Sequence, residues 1–230
     1  MNITLFCLPF AGGSKYSLGF LKKVLPHNIS CYFLEYPGRG TRIKENFADN
    51  IVEVVDDLYN KIAPLLNKPF ALYGHSMGAK IAYLLAQRIR ENDMPNPLHL
   101  FISGTDAPSV PSKKSPKHLL PKDEFIIAVR ELGGLPDEIL ANQEMLEYFE
   151  PILRADFKLS ESYVYNVKMP LKVPVTVMIG DQEDMEEADV LEWQSETTIP
   201  ITLHKLPGNH FFIYHNEKVI GKIIKEALHK

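Results

Sequence analysis

Short apolar runs that alternate with longer segments of helical periodicity are the feature that most limits the fold of this chain. Each run is bounded by Pro, Gly or Asn, and runs that are apolar throughout are typical of strands buried on both faces of a sheet. Alternation of such strands with helices indicates an α/β fold, in which helices cover a mostly parallel sheet. We predict strands at 3–8, 30–34, 70–73, 98–103, 173–179 and 201–206.

Segments of helical periodicity fill the intervals between these strands, and Asp49 and Asn50 are possible caps of the first long one. We predict helices at 51–66, 77–89, 121–132, 142–166 and 217–228. The interval 105–172 is much longer than a strand connection requires. We therefore expect a single domain, 1–230, with an inserted helical lid at 105–172.

The composition is that of an ordinary soluble globular chain. Of its 230 residues, 45% are hydrophobic and 23% are charged, and the net charge is -4. The absence of a basic stripe argues against a nucleic-acid partner, and no apolar segment approaches the ~20 residues of a membrane span. Cys7 and Cys31 lie within apolar runs, so we expect reduced core residues in a cytoplasmic protein, with no metal site and no export signal.

A glycine-flanked serine follows the third predicted strand, in the run Gly74-His75-Ser76-Met77-Gly78. A serine hydroxyl is a weak nucleophile unless a base takes its proton, so a fold that uses one presents Oγ at a sharp turn between strand and helix. The flanking glycines have no Cβ and permit this turn. We predict that Ser76 is a catalytic nucleophile.

His210 is the candidate general base, because it lies just after the last predicted strand, where a side chain can project over the carboxyl edge of the sheet. The chain order nucleophile, acid, histidine is that of an α/β-hydrolase. We expect the acid in the carboxylate-rich loop after the fifth strand, where two residues compete. Asp184 is preferred because Asp is the commoner acid, whereas Glu183 has the commoner spacing, three residues after Gly180.

A glycine-rich turn after the first predicted strand, Pro9-Phe10-Ala11-Gly12-Gly13, is a candidate oxyanion hole. A backbone N–H of this turn and the N–H of Met77 could both donate to the negative oxygen that forms when a nucleophile attacks a carbonyl group. We prefer Ala11 as the donor, with Phe10 as the second choice. The alternative is that the glycines are needed only to form the turn and have no part in catalysis.

Several separated motifs occur along the chain in the order Leu8-Pro9-Phe10-Ala11-Gly12-Gly13, Tyr36-Pro37-Gly38-Arg39-Gly40, Gly74-His75-Ser76-Met77-Gly78, Leu132-Gly133-Gly134-Leu135-Pro136, Leu153-Arg154-Ala155-Asp156 and Gly208-Asn209-His210. Together they resemble the stand-alone type II thioesterases, which are the external editing enzymes of nonribosomal peptide and polyketide synthases. The resemblance spans nearly the whole chain, and Ser76 and His210 match the family's nucleophile and base.

The resemblance implies an α/β-hydrolase fold with a helical lid. It also implies hydrolysis of misprimed or stalled acyl groups from the phosphopantetheine arm of an acyl or peptidyl carrier protein. We expect no metal, no cofactor, no membrane or nucleic-acid partner, and a monomer, and we expect Arg39 to organise its own loop. The main alternative function is a carboxylesterase acting on small esters, because a serine triad fits both reactions; a catalytically silent binding subunit is a third hypothesis.

Overall fold

A parallel sheet forms the centre of the molecule in a computed structural model that describes residues 1–112, 115–133 and 141–229. Within these ranges the strands are β1 (Ile3–Leu8), β2 (Ile29–Phe33), β3 (Phe70–His75), β4 (Leu100–Ser103), β5 (Val175–Gly180) and β6 (Thr202–Leu206). Their order is β2-β1-β3-β4-β5-β6, and every neighbouring pair is parallel. The predicted parallel sheet is confirmed.

Helices connect and cover the strands. In the described residues they are α1 (Leu21–Val24), α2 (Ile51–Ile62), α3 (Met77–Glu91), α4 (Lys122–Leu132), α5 (Gln143–Glu161), α6 (Glu187–Leu191) and α7 (Glu217–Leu228). The last three residues of the motif at 132–136 lie outside the described ranges. None of the described helices is long and apolar enough to span a bilayer.

The ends of several predicted elements differ from the observed ones for local reasons. β3 continues through His75, because its last residue still pairs with Ser103 of β4. The helix predicted at 51–66 changes to a 3-10 turn after Ile62, where Pro64 has no N–H to donate. At the start of α2, the Asn50 side chain accepts the backbone N–H of Glu53 at 3.1 Å, which confirms the predicted cap.

Apolar side chains form one layer of core on each face of the sheet. The layer beneath α2 and α3 includes Phe6 and Leu58, and the layer beneath α1 and α7 includes Leu5 and Ile220. Successive residues of a strand point to opposite faces, so a strand covered on both sides must be apolar throughout. β3 and β5 are buried at every position, which explains why their sequences are largely apolar.

The insertion between β4 and β5 carries α4 and α5, which share a small apolar cluster. Its buried members are Phe125, Val129 and Leu153. Arg154 of α5 holds this unit together: its guanidinium carbon lies 4.3 Å from the centroid of the Phe125 ring, and it donates to the carbonyl oxygens of His118 and Leu120 at 2.7 and 2.9 Å. The first half of the insertion is therefore tied to its second half.

The turn from β3 into α3 packs against the end of β1 with no room for a side chain. A Cβ at Gly78 would lie 2.2 Å from the carbonyl oxygen of Leu8 and 2.4 Å from that of Pro9. A Cβ at Gly74 would lie 2.1 Å from the carbonyl oxygen of Gly78. Because these neighbours are backbone atoms of the sheet and helix, glycine is required at both positions.

We expect the substitution Gly78→Ala to destabilise the fold, because the added methyl group would overlap two backbone carbonyl groups. Overpacking typically costs ~1–3 kcal/mol, and we expect a loss at the upper end of that range. Urea unfolding measures the change in the free energy of unfolding. Gly19→Ala is the comparison variant: its methyl group would lie 3.0 Å from the carbonyl oxygen of Tyr16, a tight contact but a milder one, so we expect a smaller loss. A Gly78→Ala variant as stable as the native chain would contradict this account.

Candidate active site

Ser76 occupies the sharp turn between β3 and α3 in a strained backbone conformation. Its φ is 54° and its ψ is -121°, in a region that residues with a Cβ rarely adopt. The Ser76 N–H donates to the carbonyl oxygen of Ser103 at 2.7 Å, which holds the turn against β4. Such strain persists only where the surrounding structure enforces it, and it is commonly found at functional sites.

His210 lies beside Ser76 at the carboxyl edge of the sheet. The distance between His210 Nε2 and Ser76 Oγ is 3.0 Å, and the distance between His210 Nδ1 and Glu183 Oε1 is 2.6 Å. A carboxylate can only accept, so Nδ1–H donates to Glu183 and Nε2 is left to accept the Ser76 hydroxyl proton. The structure thus brings the predicted nucleophile and the predicted base together.

The carboxylate that contacts His210 belongs to Glu183 and not to Asp184, the residue preferred from the sequence. That preference required a loop one residue longer than the usual one. Instead, the chain turns tightly after β5: the Glu183 N–H donates to the carbonyl oxygen of Gly180 at 3.3 Å, and Glu183 Oε2 accepts the Gly180 N–H at 2.8 Å. This turn directs Glu183 back over the sheet edge, where its side chain is 4% exposed, whereas Asp184 is exposed.

The loop that carries Glu183 and the loop that carries His210 are joined directly. Asp181 Oδ1 accepts the Gly208 N–H at 2.8 Å, and the Gln182 N–H donates to the Gly208 carbonyl oxygen at 3.1 Å. A Cβ at Gly180 would lie 2.4 Å from that same oxygen. Because the two loops touch through their backbones, the positions of the acid and of the histidine depend on each other.

His75 supports the site from below. Its ring is fully buried, its Nδ1 lies 3.0 Å from Ser103 Oγ, and its centroid is 5.0 Å from that of His210. Burial lowers the pKa of His75 well below its ordinary value, and the charge that His210 can carry lowers it further. His75 therefore remains a neutral packing partner of His210.

The loop after β1 lies alongside the start of α3, as an oxyanion hole requires. The close contact of Gly78 with Leu8 and Pro9 brings this loop to the first turn of the helix. Met77 is the first residue of α3, where a backbone N–H has no intrahelical acceptor. The N–H groups of Met77, Ala11 and Phe10 remain the predicted oxyanion donors.

A buried ion pair behind this loop was not predicted from the sequence. The two terminal guanidinium nitrogens of Arg39 donate to the carboxylate of Asp156 on α5, and the two side chains are only 4% and 0% exposed. Burial alone would lower the pKa of Arg39, but the charge of Asp156 and its hydrogen bonds, together with the nearby Tyr36 and Glu35, outweigh burial and the pKa is raised. Arg39 therefore joins its own loop to the insertion. The available signal in the sequence was the carboxylate of the Leu153-Arg154-Ala155-Asp156 motif.

The arrangement of Ser76, His210 and Glu183 is suited to nucleophilic attack on a carbonyl carbon. An activated serine has this geometry: its hydroxyl is hydrogen-bonded to an imidazole, and a carboxylate orients that imidazole. Among the described residues, no group of three or more His, Cys, Asp or Glu side chains is arranged to hold a metal ion. The parallel sheet and this array together are typical of an α/β-hydrolase.

The chain belongs to the thioesterase family: residues 3–227 match the thioesterase domain. It is an enzyme that hydrolyses thioesters. The gramicidin S biosynthesis protein GrsT of Aneurinibacillus migulanus is 38% identical over 217 residues, which cover 94% of this chain and 85% of GrsT.

Solved structures support the same assignment. ClbQ from the colibactin NRPS/PKS pathway has a TM-score of 0.94 and 32% identity, covering 100% of this chain and 98% of ClbQ. The type II thioesterase BorB from the borrelidin biosynthetic cluster has a TM-score of 0.91 and 30% identity, covering 99% of this chain and 93% of BorB. The α/β-hydrolase fold and the resemblance to type II thioesterases are thereby confirmed.

We expect Glu183→Gln and Asp184→Asn to differ strongly in activity, although both remove one negative charge from the same loop. Loss of the Glu183 carboxylate removes the group that orients His210 and stabilises its protonated form, so kcat should fall by about 10³–10⁴-fold. Asp184→Asn should leave kcat within about twofold. Steady-state hydrolysis of an acyl thioester measures both, and a larger loss in Asp184→Asn would restore Asp184 as the acid.

The stability of the protein should depend on pH through His75. The folded chain does not bind a proton at this buried ring, whereas the unfolded chain does below about pH 6.5. The contribution of neutral His75 to the free energy of unfolding is therefore fully present above about pH 6.5. It falls with decreasing pH, by up to about 1.4 kcal/mol per pH unit. Urea unfolding between about pH 5 and 7 should show this slope in the native chain and a smaller one in His75→Gln. Parallel pH curves for the two chains would contradict the buried neutral state.

Proposed function

We propose that this protein is a stand-alone editing thioesterase that removes misprimed or stalled acyl groups from carrier proteins of nonribosomal peptide or polyketide synthesis. The observation that carries the proposal is the hydrogen-bonded array of Ser76, His210 and Glu183 in a chain of the thioesterase family. The pathways named for GrsT, ClbQ and BorB support the biosynthetic context.

The proposed reaction begins when His210 Nε2 takes the proton of Ser76 Oγ, over the 3.0 Å that separate them. The serine oxygen attacks the thioester carbonyl carbon, and the N–H groups of Met77 and Ala11, or Phe10, stabilise the resulting oxyanion. The C–S bond then breaks, and His210 returns the proton to the leaving pantetheine thiol. Glu183 stabilises the imidazolium that exists between these two proton transfers.

A second half-reaction regenerates the enzyme. His210 takes a proton from water, and the hydroxide attacks the acyl-serine carbonyl carbon through the same oxyanion hole. The bond to Ser76 Oγ breaks, the serine recovers its proton from His210, and the free acid leaves. The steps use protein groups and water, so the proposal calls for neither metal nor cofactor.

We propose that residues 105–172 form the lid of this single-domain enzyme and shape the acyl pocket. Both ends of the site touch the insertion. A Cβ at Gly133, which ends α4 with a φ of 77°, would lie 3.2 Å from Asn209 Nδ2, next to His210. On the other side, Leu153 of α5 lies against Gly12 in the proposed oxyanion loop.

The proposed partner is an acyl or peptidyl carrier protein that presents its acyl group on phosphopantetheine. The thioesterase would act on it as a monomer in the cytoplasm, where carrier proteins of these pathways work. A carboxylesterase for small esters is the second candidate, because the same array of serine, histidine and glutamate would hydrolyse an oxygen ester.

Rates on matched substrates separate the two candidates. With one acyl group presented on a carrier protein, on pantetheine and on p-nitrophenol, we expect the highest kcat/KM for the carrier-borne thioester, because only that substrate offers protein contacts outside the pocket. A higher kcat/KM for the p-nitrophenyl ester would favour the carboxylesterase.

The identity of the nucleophile has its own test. Ser76→Ala should lower kcat by about 10⁵-fold or more, and it should abolish labelling by a fluorophosphonate probe. Ser30→Ala, at an exposed serine of β2, is the matched control and should behave as the native chain. Retention of labelling in Ser76→Ala would refute the assignment.

A further inference from the structure

The carboxylate of Asp156 lies where three separate segments of the chain meet. It belongs to α5 of the insertion, it pairs with Arg39 from the loop after β2, and its Oδ2 accepts the backbone N–H of Gly12 at 2.7 Å. Asp156 is fully buried. A side chain from the insertion therefore binds the backbone directly beside Ala11, the preferred oxyanion donor.

Asp156 and Leu153 hold the same peptide from one face of α5. They are three residues apart on the helix and so lie on the same side of it. Gly12 has a φ of 77°, and a Cβ there would lie 2.4 Å from Leu153 Cδ2. The Gly12 N–H is thus fixed by the carboxylate while the Gly12 Cα rests against Leu153.

The other end of the loop is held by the segment that carries Arg39. The Tyr36 hydroxyl donates to the carbonyl oxygen of Pro9 at 2.9 Å. The Arg39 guanidinium carbon lies 5.2 Å from the centroid of the Tyr36 ring, so the clamps at Pro9 and at Gly12 are connected through one arginine. Phe10 and Ala11, the two predicted donors, lie between the two clamped positions.

We propose that Asp156 is a positioning residue for the oxyanion hole, so that docking of α5 on the loop at 9–12 completes the catalytic site. The insertion then has a role in the chemical step besides enclosing the acyl chain. This inference rests on the proposed function, because it assumes that the loop at 9–12 donates to the oxyanion. Asp156 acts through Gly12 and does not touch the substrate.

The test compares two buried carboxylates, one at this loop and one away from it. In Asp156→Asn the carboxylate charge that Arg39 and Gly12 share is lost. In Glu196→Gln an equally buried carboxylate is neutralised, but its partners are Tyr83 and Tyr165. Thermal unfolding of each variant reports how much stability is lost, so activities are compared between folded proteins.

The expected result is a loss confined to the transition state. Asp156→Asn should lower kcat by about 10²-fold and leave KM within about threefold. It should weaken inhibition by an acyl trifluoromethyl ketone, which forms a tetrahedral oxyanion with a serine, by about 10²-fold. Binding of the unreactive amide analogue of the acyl-pantetheine should change by less than about threefold. Glu196→Gln should leave kcat, inhibition by the ketone and binding of the amide within about threefold of their native values.

Three outcomes would overturn the inference. One is an unchanged kcat in folded Asp156→Asn. Another is an equal loss of affinity for the ketone inhibitor and for the amide analogue, which would indicate a damaged pocket. The third is an equal loss of kcat in Glu196→Gln. If Asp156→Asn does not fold, Tyr36→Phe removes the other clamp, and kcat should then fall by about 10-fold with KM unchanged; no fall would refute the clamp. Failure of the native chain to form a hemiketal with the ketone would instead count against the proposed function itself.

Discussion

The close approach of three backbone segments, the end of β1, the end of β3 and the first turn of α3, is the constraint on which the active site depends. It is possible only because Gly74 and Gly78 have no side chains, and it forces Ser76 into its strained conformation. The same approach brings the loop after β1 beside the N–H of Met77. One steric requirement therefore sets the positions of both the predicted nucleophile and the proposed oxyanion hole, and a larger residue at either glycine would separate them.

The parallel sheet explains why residues distant in sequence meet at this point. Parallel strands end at a common edge, so the loops after β3, β5 and β6 converge there. The convergence alone would leave the side chains several ångströms apart in variable positions. The hydrogen bonds of Asp181 and Gln182 to Gly208 remove this freedom, because they connect the acid loop to the histidine loop before any substrate arrives. The insertion adds contacts to the same edge of the sheet, with Gly133 beside Asn209 and Leu153 beside Gly12.

The sequence was sufficient to predict what depends on local pattern. Apolar runs and helical periodicity predicted the strands and helices. The serine motif and the order of the candidate residues along the chain predicted that Ser76 and His210 would meet, as the structure shows. The contact of Glu183, and not of the preferred Asp184, with His210 could not be read from the sequence, because it depends on a turn at 180–183 whose hydrogen bonds carry no periodic signal. The partnership of Asp156 with Gly12 joins residues 144 positions apart. Such a contact is decided by how the insertion docks, which neither propensity nor spacing encodes.

The burial of Arg39 and Asp156 argues that their pairing serves geometry more than stability. Taking two charges out of water carries a desolvation penalty that their attraction often only offsets, and well-packed apolar residues of similar volume are frequently as stable. An apolar pair could join the insertion to the sheet, but it would tolerate several relative positions, because apolar contact is not directional. A bidentate pair of guanidinium and carboxylate groups fixes a single relative position of the insertion and the sheet. Since the same carboxylate also binds the Gly12 N–H, the orientation of α5 is transmitted to the peptide that precedes Gly12. The Ala11 Cα joins that peptide to the preceding one, which carries the Ala11 N–H, so a fixed Gly12 N–H also restricts the donor whose placement the proposed chemistry requires to within a fraction of an ångström.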